Sequence, residues 1–410
     1  MLGAVADDFT GATDLAMMLR ASGHRVVVTI EDAQLSPEQR AGVDAVVVAL
    51  KTRTAPVADA VSRSRAALAR LQNWGATRFY VKYCSTFDST DRGNIGPVLD
   101  AARELLGAER CVVVPSLPAN GRRVREGLLH VHEQLLEDSP MRHHPLTPMT
   151  RSSVAELLAP QTAHEVGEIH RPTLLEGADA LRDALAAATA PYLVLDTETD
   201  QDLRTIGAAT AADVLVSGGS GLALGIPGPT GTVEDWQAPP PRRRAVLCGS
   251  VSAQSLAQIA HAARTQPVHV IEPRAAAADP SAAVARILEW IDAQDDAAIP
   301  VVCAARTRED VLSPDDSLDP AATVETVIAD VAAGLVSSGR CTSLIIAGGE
   351  SSGAVVGALG ATVLRIGPEI APGVCWSLAS GPDGTPIALA LKSGNFGAED
   401  MFTAAWEVLA

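Results

Sequence analysis

Short apolar runs alternate with stretches rich in alanine and leucine along almost the whole chain. In the first half, these runs predict strands at LGAVA, RVVVTI, DAVVVAL, RFYVKY, RCVVVPS, YLVLD and DVLVSG, with helices between them, for example over residues 57–73 and 97–106. Apolarity is continuous within each run rather than alternating, which is typical of strands covered on both faces in a largely parallel sheet. The pattern therefore predicts an α/β fold.

One stretch near the middle interrupts this alternation. Residues 225–244, GIPGPTGTVEDWQAPPPRRR, contain three consecutive prolines and three consecutive arginines, which do not continue a helix or a central strand. Strands are predicted again at AVLCGS, VHVIEP, IPVVCAA, SLIIAGG and ATVLRI. We therefore predict an N-terminal domain over residues 1–228, a linker over 229–244 and a C-terminal domain over 245–410. Residues 117–173 are less regular and are expected to form an insertion or a small ribbon.

Charge and cysteine usage narrow the class of protein. The chain of 410 residues has a formal net charge of −17, whereas nucleic acids and anionic membranes require a basic face. The six cysteines are widely spaced and form no CxxC pair, which is typical of reduced thiols. No apolar run reaches the ~20 residues of a membrane span, and the N-terminal segment does not resemble a signal peptide. We expect a soluble, cytoplasmic protein.

Two adjacent aspartates, Asp7 and Asp8, follow the first predicted strand in VADDFTGATD. Ligands of open parallel sheets bind beyond the carboxyl ends of the strands. In one interpretation, one aspartate caps the next helix and the other is a surface charge. Gly11 permits a tight turn there, and Thr10 or Thr13 can also cap that helix. The position at a strand end favours the other interpretation, in which an aspartate accepts a proton from a substrate hydroxyl or binds a polyol.

A second polar stretch, YVKYCSTFDSTDRGNIGPV, also follows a predicted strand and leads into a helix. It contains Lys82, one of only three lysines in the chain. A cation surrounded by hydroxyls and amides would suit a small polyhydroxy acid, and the alternative is a polar turn with a helix cap. The candidate substrate contacts here are Lys82, Ser85, Thr86, Asp88, Ser89, Arg92 and Asn94. His144, in MRHHPLTPM, either contacts the substrate or belongs to a solvated turn.

Three turns in the C-terminal half are rich in glycine and hydroxyl residues, and each follows a predicted strand. They are CGSVS at 248–252, AGGESSGAVVGALG at 347–360 and LKSGNFG at 391–397. Glycine lets the backbone approach a ligand closely, and a helix N-terminus favours anions. Together the turns predict one phosphate pocket, which suits phosphoryl transfer because that reaction needs mainly positioning and charge neutralisation. Its candidate residues are Ser250, Ser252, Gly348, Gly349, Ser351, Ser352, Lys392, Gly394 and Asn395.

Other classes of site and protein are less favoured by the motifs. No GxGxxG with an acidic residue ~20 positions on follows the first strand, as an NAD-dependent oxidoreductase would require. The sequence also contains no helix-turn-helix motif and no basic face of the kind that would accompany a non-catalytic sugar-acid sensor. His130 and His132 would share one face of a strand as a metal pair, but no further metal-ligand spacing supports them. No metal site is firmly predicted.

Five of these stretches together resemble the four-carbon acid sugar kinases: VADDFTGATD, YVKYCSTFDSTDRGNIGPV, MRHHPLTPMT, IIAGGESSGAVV and LKSGNFGAEDMF. They occur in order over nearly the whole chain, and KYCSTFDST, GNIGPV and HHPLTPM are most similar to the 3-oxo-tetronate kinase branch. Two departures are GGES at 348–351, where the family has GGET, and STDRGN, where the branch often has a proline. The resemblance implies two domains, each built on a mostly parallel sheet flanked by helices. It implies a sugar acid on the N-terminal domain, ATP on the C-terminal domain and the active site in the interdomain cleft.

The reaction implied by the resemblance is phosphorylation by ATP of the C4 hydroxyl of a 3-oxo-tetronate (3-dehydro-erythronate or -threonate), in four-carbon acid sugar catabolism. Within the family, D-threonate, D-erythronate or a branched oxo acid is the alternative substrate. Lys82, aided by Arg92, would neutralise the substrate carboxylate, while Asp8 or Asp7 orients the hydroxyl and accepts its proton. Mg²⁺ would accompany ATP, and Glu350 could hold that ion through water. The expected partner is a small-molecule four-carbon acid sugar. No nucleic acid or membrane partner is expected, and a homodimer is left open.

Overall fold

The apolar runs of the N-terminal half form parallel strands. The computed structural model describes residues 1–143, 147–229, 236–312, 318–381 and 383–409. In the unit Met1–Glu234, strands lie side by side in the order β2-β3-β1-β4-β11-β5-β10-β9, with every pairing parallel. The strands of this unit are β1 (Leu2–Ala6), β2 (Val26–Ile30), β3 (Ala45–Ala49), β4 (Arg78–Lys82), β5 (Cys111–Val114), β6 (Arg122–Arg125), β7 (Leu128–Val131), β8 (Gln134–Leu135), β9 (Val166–Ile169), β10 (Tyr192–Leu195) and β11 (Leu215–Gly218).

The helices of this unit connect the strands, as the alternating pattern predicts. They are α1 (Phe9–Ala21), α2 (Pro37–Arg40), α3 (Val57–Asn73), α4 (Ile95–Leu106), α5 (Val154–Leu158), α6 (Arg171–Leu175), α7 (Ala178–Ala187) and α8 (Asp200–Ala209). The predicted helix over 57–73 matches α3, and the one over 97–106 begins two residues earlier, at Ile95. Buried alanines and leucines of α1 and α3 face the sheet, for example Leu15 and Leu68. Burial of such side chains contributes about 1.5–3 kcal/mol each.

Residues 117–173 contain the small ribbon that the sequence suggested. Strands β6, β7 and β8 pair antiparallel in a sheet of their own, and β9 joins the main sheet beside β10 without having been predicted. His130 lies in β7, but His132 lies beyond its end with φ 56°, so the two histidines do not share a strand face. Among the described residues, no group of three or more His, Cys, Asp or Glu side chains could hold a metal ion.

In the unit Asp235–Ala410, the strands lie side by side in the order β13-β14-β12-β15-β18-β17-β16. Its strands are β12 (Arg243–Cys248), β13 (Val268–Val270), β14 (Val301–Cys303), β15 (Cys341–Ala347), β16 (Val363–Ala371), β17 (Val374–Ser380) and β18 (Pro386–Lys392). Its helices are α9 (Ala253–Ala262), α10 (Pro273–Ala278), α11 (Pro280–Asp292), α12 (Pro320–Ser337), α13 (Gly349–Ala358) and α14 (Met401–Ala404). Residues 230–235 of the predicted linker 229–244 lie outside the described residues, and β12 begins within that range at Arg243.

Strand β17 of this unit differs from the expectation of a parallel arrangement. Strands β13, β14, β12, β15 and β18 are parallel, but β17 pairs antiparallel with both β16 and β18. Strand β17 was not predicted, and it follows a turn at Gly373, whose φ of 81° favours glycine. Trp376 in β17 is fully buried against Trp406, with ring centroids 5.3 Å apart. Because β17 is covered on both faces, its apolar run does not reveal its direction.

Among the described residues, α12 is the helix that is long and apolar enough to span a membrane by length and composition. It packs against α10, α11 and α13, and half of its 18 residues are buried. Core packing therefore accounts for its apolar character. All six cysteines are free thiols, as predicted.

Candidate functional site

The polar residues that follow β1, β3 and β4 meet because these parallel strands end at the same level. Ala6, the last residue of β1, lies opposite Ala49 of β3 and Lys82 of β4. The backbone N–H groups of Thr52 and Arg53 donate to the carbonyl of Asp7 at 2.9 and 3.1 Å. The loop after β3 is thereby fixed beside the loop after β1.

Arg53 joins the two aspartates. Its Nε and Nη2 atoms donate to the two carboxylate oxygens of Asp7 at 2.9 and 2.8 Å, and Nη2 also lies 2.9 Å from Oδ1 of Asp8. Although burial opposes its charge, the two carboxylates raise the pKa of Arg53 well above its ordinary value. A bidentate, charge-assisted pair of this kind fixes geometry as well as charge. The guanidinium therefore holds both aspartates in place.

Asp8 is also the N-cap of α1. Its Oδ1 accepts the backbone N–H of Gly11 at 2.8 Å, and its Oδ2 accepts the hydroxyl of Thr10 at 3.0 Å. Burial acts to raise the pKa of Asp8, but the charges of Arg53 and Lys82 and these two hydrogen bonds outweigh burial and lower it. Asp8 is thus both a helix cap and a charged member of the site, so the two interpretations of the sequence are compatible.

Lys82 lies beside the Asp8 cap and is only 4% exposed. Its ammonium donates to the carbonyl of Tyr83 at 2.9 Å, and a Cβ placed on Gly11 would lie 3.0 Å from that ammonium. Its charge acts on Asp8 and also on Asp14, which lies six residues further along the chain in α1. Burial raises the pKa of Asp14, and Lys82 offsets only part of that effect. The cluster therefore contains three carboxylates and two cations.

A cavity lies beside this charged cluster. Its lining includes five predicted site residues together with Thr52 and Arg53; the five are Asp7, Lys82, Asp88, Ser89 and Asn94. Carboxylate, ammonium, hydroxyl and amide groups thus face one space, whose lining is completed by the aliphatic side chains of Val5, Val81, Ile95 and Val98. This set of donors and acceptors matches the hydroxyl groups of a small polyol.

Residues of the loop between β4 and α4 are held by contacts with each other and with a neighbouring segment. The hydroxyl of Thr86 donates to Asp88 at 2.6 Å, and that of Ser89 donates to Oε1 of Gln161 at 3.0 Å. Thr86 and Ser89 are each 4% exposed. These bonds give the loop a defined shape, while direct contact with a substrate stays a prediction.

Asn94 connects this loop to the loop that carries Arg53. Its side-chain Nδ2 donates to the carbonyls of Thr52 and Ala55 at 2.7 and 2.9 Å, and to the carbonyl of Arg53 at 3.3 Å. Three carbonyl acceptors converge on one amide group. Asn94 therefore positions Arg53 through its backbone, in addition to lining the cavity.

Four predicted substrate residues do not line this cavity or lie outside the described residues, and Thr86 is one of them. Arg92 is exposed and lines a neighbouring cavity that also includes Ser89. Ser85 is half-buried and packs close to the backbone of Gly219, since a Cβ added to that glycine would lie 3.4 Å from the Cβ of Ser85. His144 lies outside the described residues.

Sequence reasoning missed Arg53 and Asp14. The sequence LKTRT directly follows the predicted strand DAVVVAL, so the rule that singled out Asp7 and Asp8 applies equally to Arg53. Asp14 had a weaker signal, because only the orientation of α1 brings it near Lys82.

The three glycine- and hydroxyl-rich turns of the C-terminal unit meet at one end of its sheet. The N–H groups of Gly249 and Ser250 donate to the carbonyl of Ala347 at 3.0 and 3.1 Å, and the N–H of Gly348 donates to that of Lys392 at 2.9 Å. Strands β12, β15 and β18 are adjacent and parallel, so their carboxyl ends share this edge. The structure thus brings the predicted turns together, while their binding of phosphate stays a prediction.

Serine hydroxyls and glycine backbone are in close contact in these turns. Ser252 caps α9, accepting the N–H of Ser255 at 3.2 Å, and its hydroxyl donates to the carbonyl of Gly394 at 2.7 Å. A Cβ on Gly394 would overlap Oγ of Ser250 and lie 2.9 Å from Oγ of Ser252. A side chain at position 394 would therefore force the two serine hydroxyls to move.

Helix α13 begins in the second of these turns. Its N-cap is Gly348, whose φ of 127° favours glycine, and its first turn holds Gly349, exposed Glu350 and buried Ser351. Ser352 is fully buried, and its hydroxyl has no hydrogen-bond partner within the described part of the chain. Backbone N–H groups at a helix N-terminus attract anions. The predicted phosphate residues of this turn therefore lie at a suitable helix end.

Lys392, at the end of β18, is fully buried. Its ammonium donates to the hydroxyl of Ser255 at 3.2 Å and the carbonyl of Gly394 at 3.1 Å, and it lies 5.7 Å from the ring centroid of Phe402. Within the described ranges it has no ion pair with a carboxylate. Burial lowers its pKa to about 8. Asn395, the last predicted residue of the pocket, is exposed.

Comparison with known proteins assigns a family to both units. Residues 2–226 match the model of a sugar-binding N-terminal domain, and residues 245–402 match that of a nucleotide-binding C-terminal domain. The chain is 42% identical over 424 residues to a 3-oxo-tetronate kinase of Pseudomonas fluorescens, covering 100% of this chain and 97% of that protein. It is 41% identical over 426 residues to a 3-oxo-tetronate kinase of Pseudomonas savastanoi, with the same coverage.

A solved structure shows the same fold. A crystal structure from Salmonella typhimurium LT2 superposes with a TM-score of 0.90 at 38% identity and covers 98% of both chains. The chain therefore belongs to the four-carbon acid sugar kinase family, whose members are ATP-dependent sugar-acid kinases. The predicted family and the predicted fold of helices around mostly parallel sheets are confirmed.

Proposed function

We propose that this protein phosphorylates the C4 hydroxyl of a 3-oxo-tetronate with ATP, forming the 4-phosphate in four-carbon acid sugar catabolism. The full-length similarity to 3-oxo-tetronate kinases supports this substrate class. The structural observation that carries it is the cluster of Asp7, Asp8, Arg53 and Lys82, beside a cavity lined by hydroxyl and amide groups. We place the enzyme in the cytoplasm, where its free thiols stay reduced.

Asp8 is the proton acceptor in this proposal. Both carboxylate oxygens of Asp7 are occupied by the bidentate contact with Arg53. Among the described residues, Oδ2 of Asp8 accepts only the hydroxyl of Thr10. Asp8 Oδ2 can therefore accept a hydrogen bond from the substrate hydroxyl and then its proton. In a loose phosphoryl-transfer transition state the proton leaves late, so an acceptor with a lowered pKa is sufficient.

The C-terminal turns would hold ATP in this proposal. Gly348–Ser352, Ser250, Ser252 and Gly394 surround the triphosphate, with the N–H groups of α13 directed at it. Mg²⁺ usually keeps several waters and binds through one or two carboxylates and the phosphates of its substrate. Exposed Glu350, in the first turn of α13, fits this role, and the ion would neutralise charge on the phosphates.

Transfer requires the sugar acid and the γ-phosphate to meet. We place the sugar acid on the domain 1–228 and ATP on the domain 245–410, joined by the linker 229–244.

A coupled ADP-release assay over a panel of four-carbon acids tests the proposed substrate. We expect kcat/KM to be highest for a 3-oxo-tetronate, and phosphorus NMR of the product to show a phosphate ester at C4. A higher kcat/KM for D-threonate or D-erythronate would assign the enzyme to another substrate of the same family. ADP release with none of the acids would contradict the proposal.

Gly394→Ala is expected to weaken ATP binding by at least about tenfold, because its Cβ overlaps Ser250 Oγ and displaces the turn. Gly353→Ala is the matched control, since a Cβ there has nothing within 4 Å and alanine favours the helix. Isothermal titration with ATP measures both variants, and circular dichroism verifies their folding. Equal ATP affinity in the two variants would contradict the assignment of Gly394 to the nucleotide pocket.

ATP affinity is expected to fall about tenfold or less between pH 7 and pH 9, because Lys392, with a pKa of about 8, loses its charge in this range. The pH dependence should disappear in Lys392→Met and persist in the control Lys51→Met, whose side chain is exposed. In the absence of ATP, the stability of the protein depends on pH in the opposite direction from ATP affinity. Between the folded-state pKa of about 8 and the ordinary lysine pKa of 10.5, the folded state binds fewer protons than the unfolded state. The contribution of Lys392 to the free energy of unfolding therefore rises with pH in this range. Titrations at both pH values, with denaturant curves, measure the two effects.

A further inference from the structure

The charges around Lys82 leave no cation for a substrate carboxylate. Asp7 and Asp8 contact Arg53, and the charge of Lys82 acts on Asp8 and Asp14. Three carboxylates thus face two cations, and Lys82 is only 4% exposed. An acid sugar with its carboxylate at Lys82 would add a further negative charge beside Asp7 and Asp8, which already face the charges of Arg53 and Lys82. The carboxylate needs another cationic site.

A second cavity provides that site. It has a volume of about 350 Å³ and is lined by Ser89, Thr90, Asp91, Arg92, Thr150, Arg151 and two apolar side chains. Ser89 lines this cavity and the first one, so the two spaces adjoin at that residue. A ligand that extends past Ser89 would reach both.

Two arginines and one aspartate line this second cavity, so one positive charge remains unbalanced there. Arg151 is held by an ion pair with Asp91 and donates through Nη1 to the carbonyl of Glu156 at 3.2 Å. In the described part of the chain, the guanidinium of Arg92 has neither an ion pair nor a hydrogen bond, while its backbone N–H donates to Thr90 at 3.3 Å. One guanidinium is thus anchored and the other is available. Arginine suits this role because its planar fork matches a carboxylate in bidentate fashion.

We propose that Arg92 and Arg151 together bind the carboxylate of the sugar acid, and that Lys82 instead positions the carboxylates of Asp8 and Asp14. This assignment rests on the proposed function. It makes Arg151 a specificity-determining residue and removes Lys82 from contact with the substrate carboxylate. The substrate then extends from the arginines, past Ser89 and through the first cavity, towards the hydroxyl acceptor Asp8, which contacts Arg53 of that cavity.

The test compares a 3-oxo-tetronate with erythrulose, the ketose in which a hydroxymethyl group replaces the carboxylate. In Arg151→Gln and Arg92→Gln, we expect KM for the acid to rise about 10–100-fold, with kcat within about threefold of wild type. The preference for the acid over erythrulose should fall by the same factor as KM rises. Arg151→Lys should recover part of the preference. The control Arg65→Gln, which breaks an exposed ion pair with Glu104, should change neither value.

Three results would overturn this assignment. One is an unchanged KM for the acid in both glutamine variants, and another is an equal loss on the acid and on erythrulose. The third is a loss of acid preference in Lys82→Met with that preference intact in Arg151→Gln. Failure of the proposed function is separate, because wild-type enzyme would then release no ADP with the acid.

Discussion

Asp8→Asn is expected to lower kcat by about 10²–10⁴-fold while the protein stays folded. Asparagine is as good an N-cap as aspartate, and it keeps an oxygen for the N–H of Gly11. The substitution therefore removes the charge and the proton-accepting oxygen without removing the cap of α1. ADP release under saturating acid and ATP measures kcat, and thermal unfolding verifies that the fold is retained.

Two further variants show whether the loss in kcat is specific to Asp8. Asp7→Asn should cost less in kcat than Asp8→Asn, because Asp7 acts on the reaction through Arg53. Asp59→Asn, an exposed carboxylate in the first turn of α3, is the matched control and should keep wild-type kcat. Near-normal kcat in both Asp7→Asn and Asp8→Asn would show that neither aspartate accepts the proton.

Replacing Arg53 with glutamine is expected to lower kcat/KM by about 10²-fold or more and to move the acid limb of the pH profile upward. Burial raises the pKa of Asp8, and Arg53 is the first of the groups that counteract it. Without Arg53 the pKa of Asp8 rises, so its carboxylate is lost at a higher pH. Activity should therefore decline more steeply below pH 7 in the variant than in wild type. Profiles of kcat/KM between pH 5 and pH 9 measure the displacement.

Arg25→Gln is the matched control for Arg53→Gln. Arg25 also makes a bidentate pair with an aspartate, donating to Asp44 at 2.9 and 3.0 Å. Both variants should lose some stability, about 1–3 kcal/mol for a partly buried pair. Arg25→Gln should leave the pH profile unchanged. If Arg53→Gln loses stability and also keeps the wild-type profile, Arg53 has only a structural role.

The site residues that could be predicted from sequence are those whose position depends on the sheet alone. Carboxyl ends of parallel strands share an edge, so locating strands was sufficient to group Asp7 with Lys82, and Ser250 with Gly348 and Lys392. The partners of these residues required more information. The contact between Arg53 and Asp7 depends on the register of β3 against β1, which an apolar run does not encode.

Burial and strand direction were equally invisible in the sequence. Lys392 was located at the correct strand end, but its full burial follows from contacts with α9 and α14. Strand β17 is covered on both faces, so its composition does not separate an antiparallel neighbour from a parallel one. The positive φ of His132 moved it out of the strand in which a histidine pair was considered.

The shared register of β1, β3 and β4, which end opposite one another, also has an evolutionary consequence. The reactive charges follow strands whose register fixes them, whereas Arg92 and Arg151 lie outside the strands of that sheet. Mutations in these peripheral segments can alter which acid is accepted without shifting a single strand. A lineage could therefore diversify its substrates while inheriting the phosphorylation chemistry unchanged.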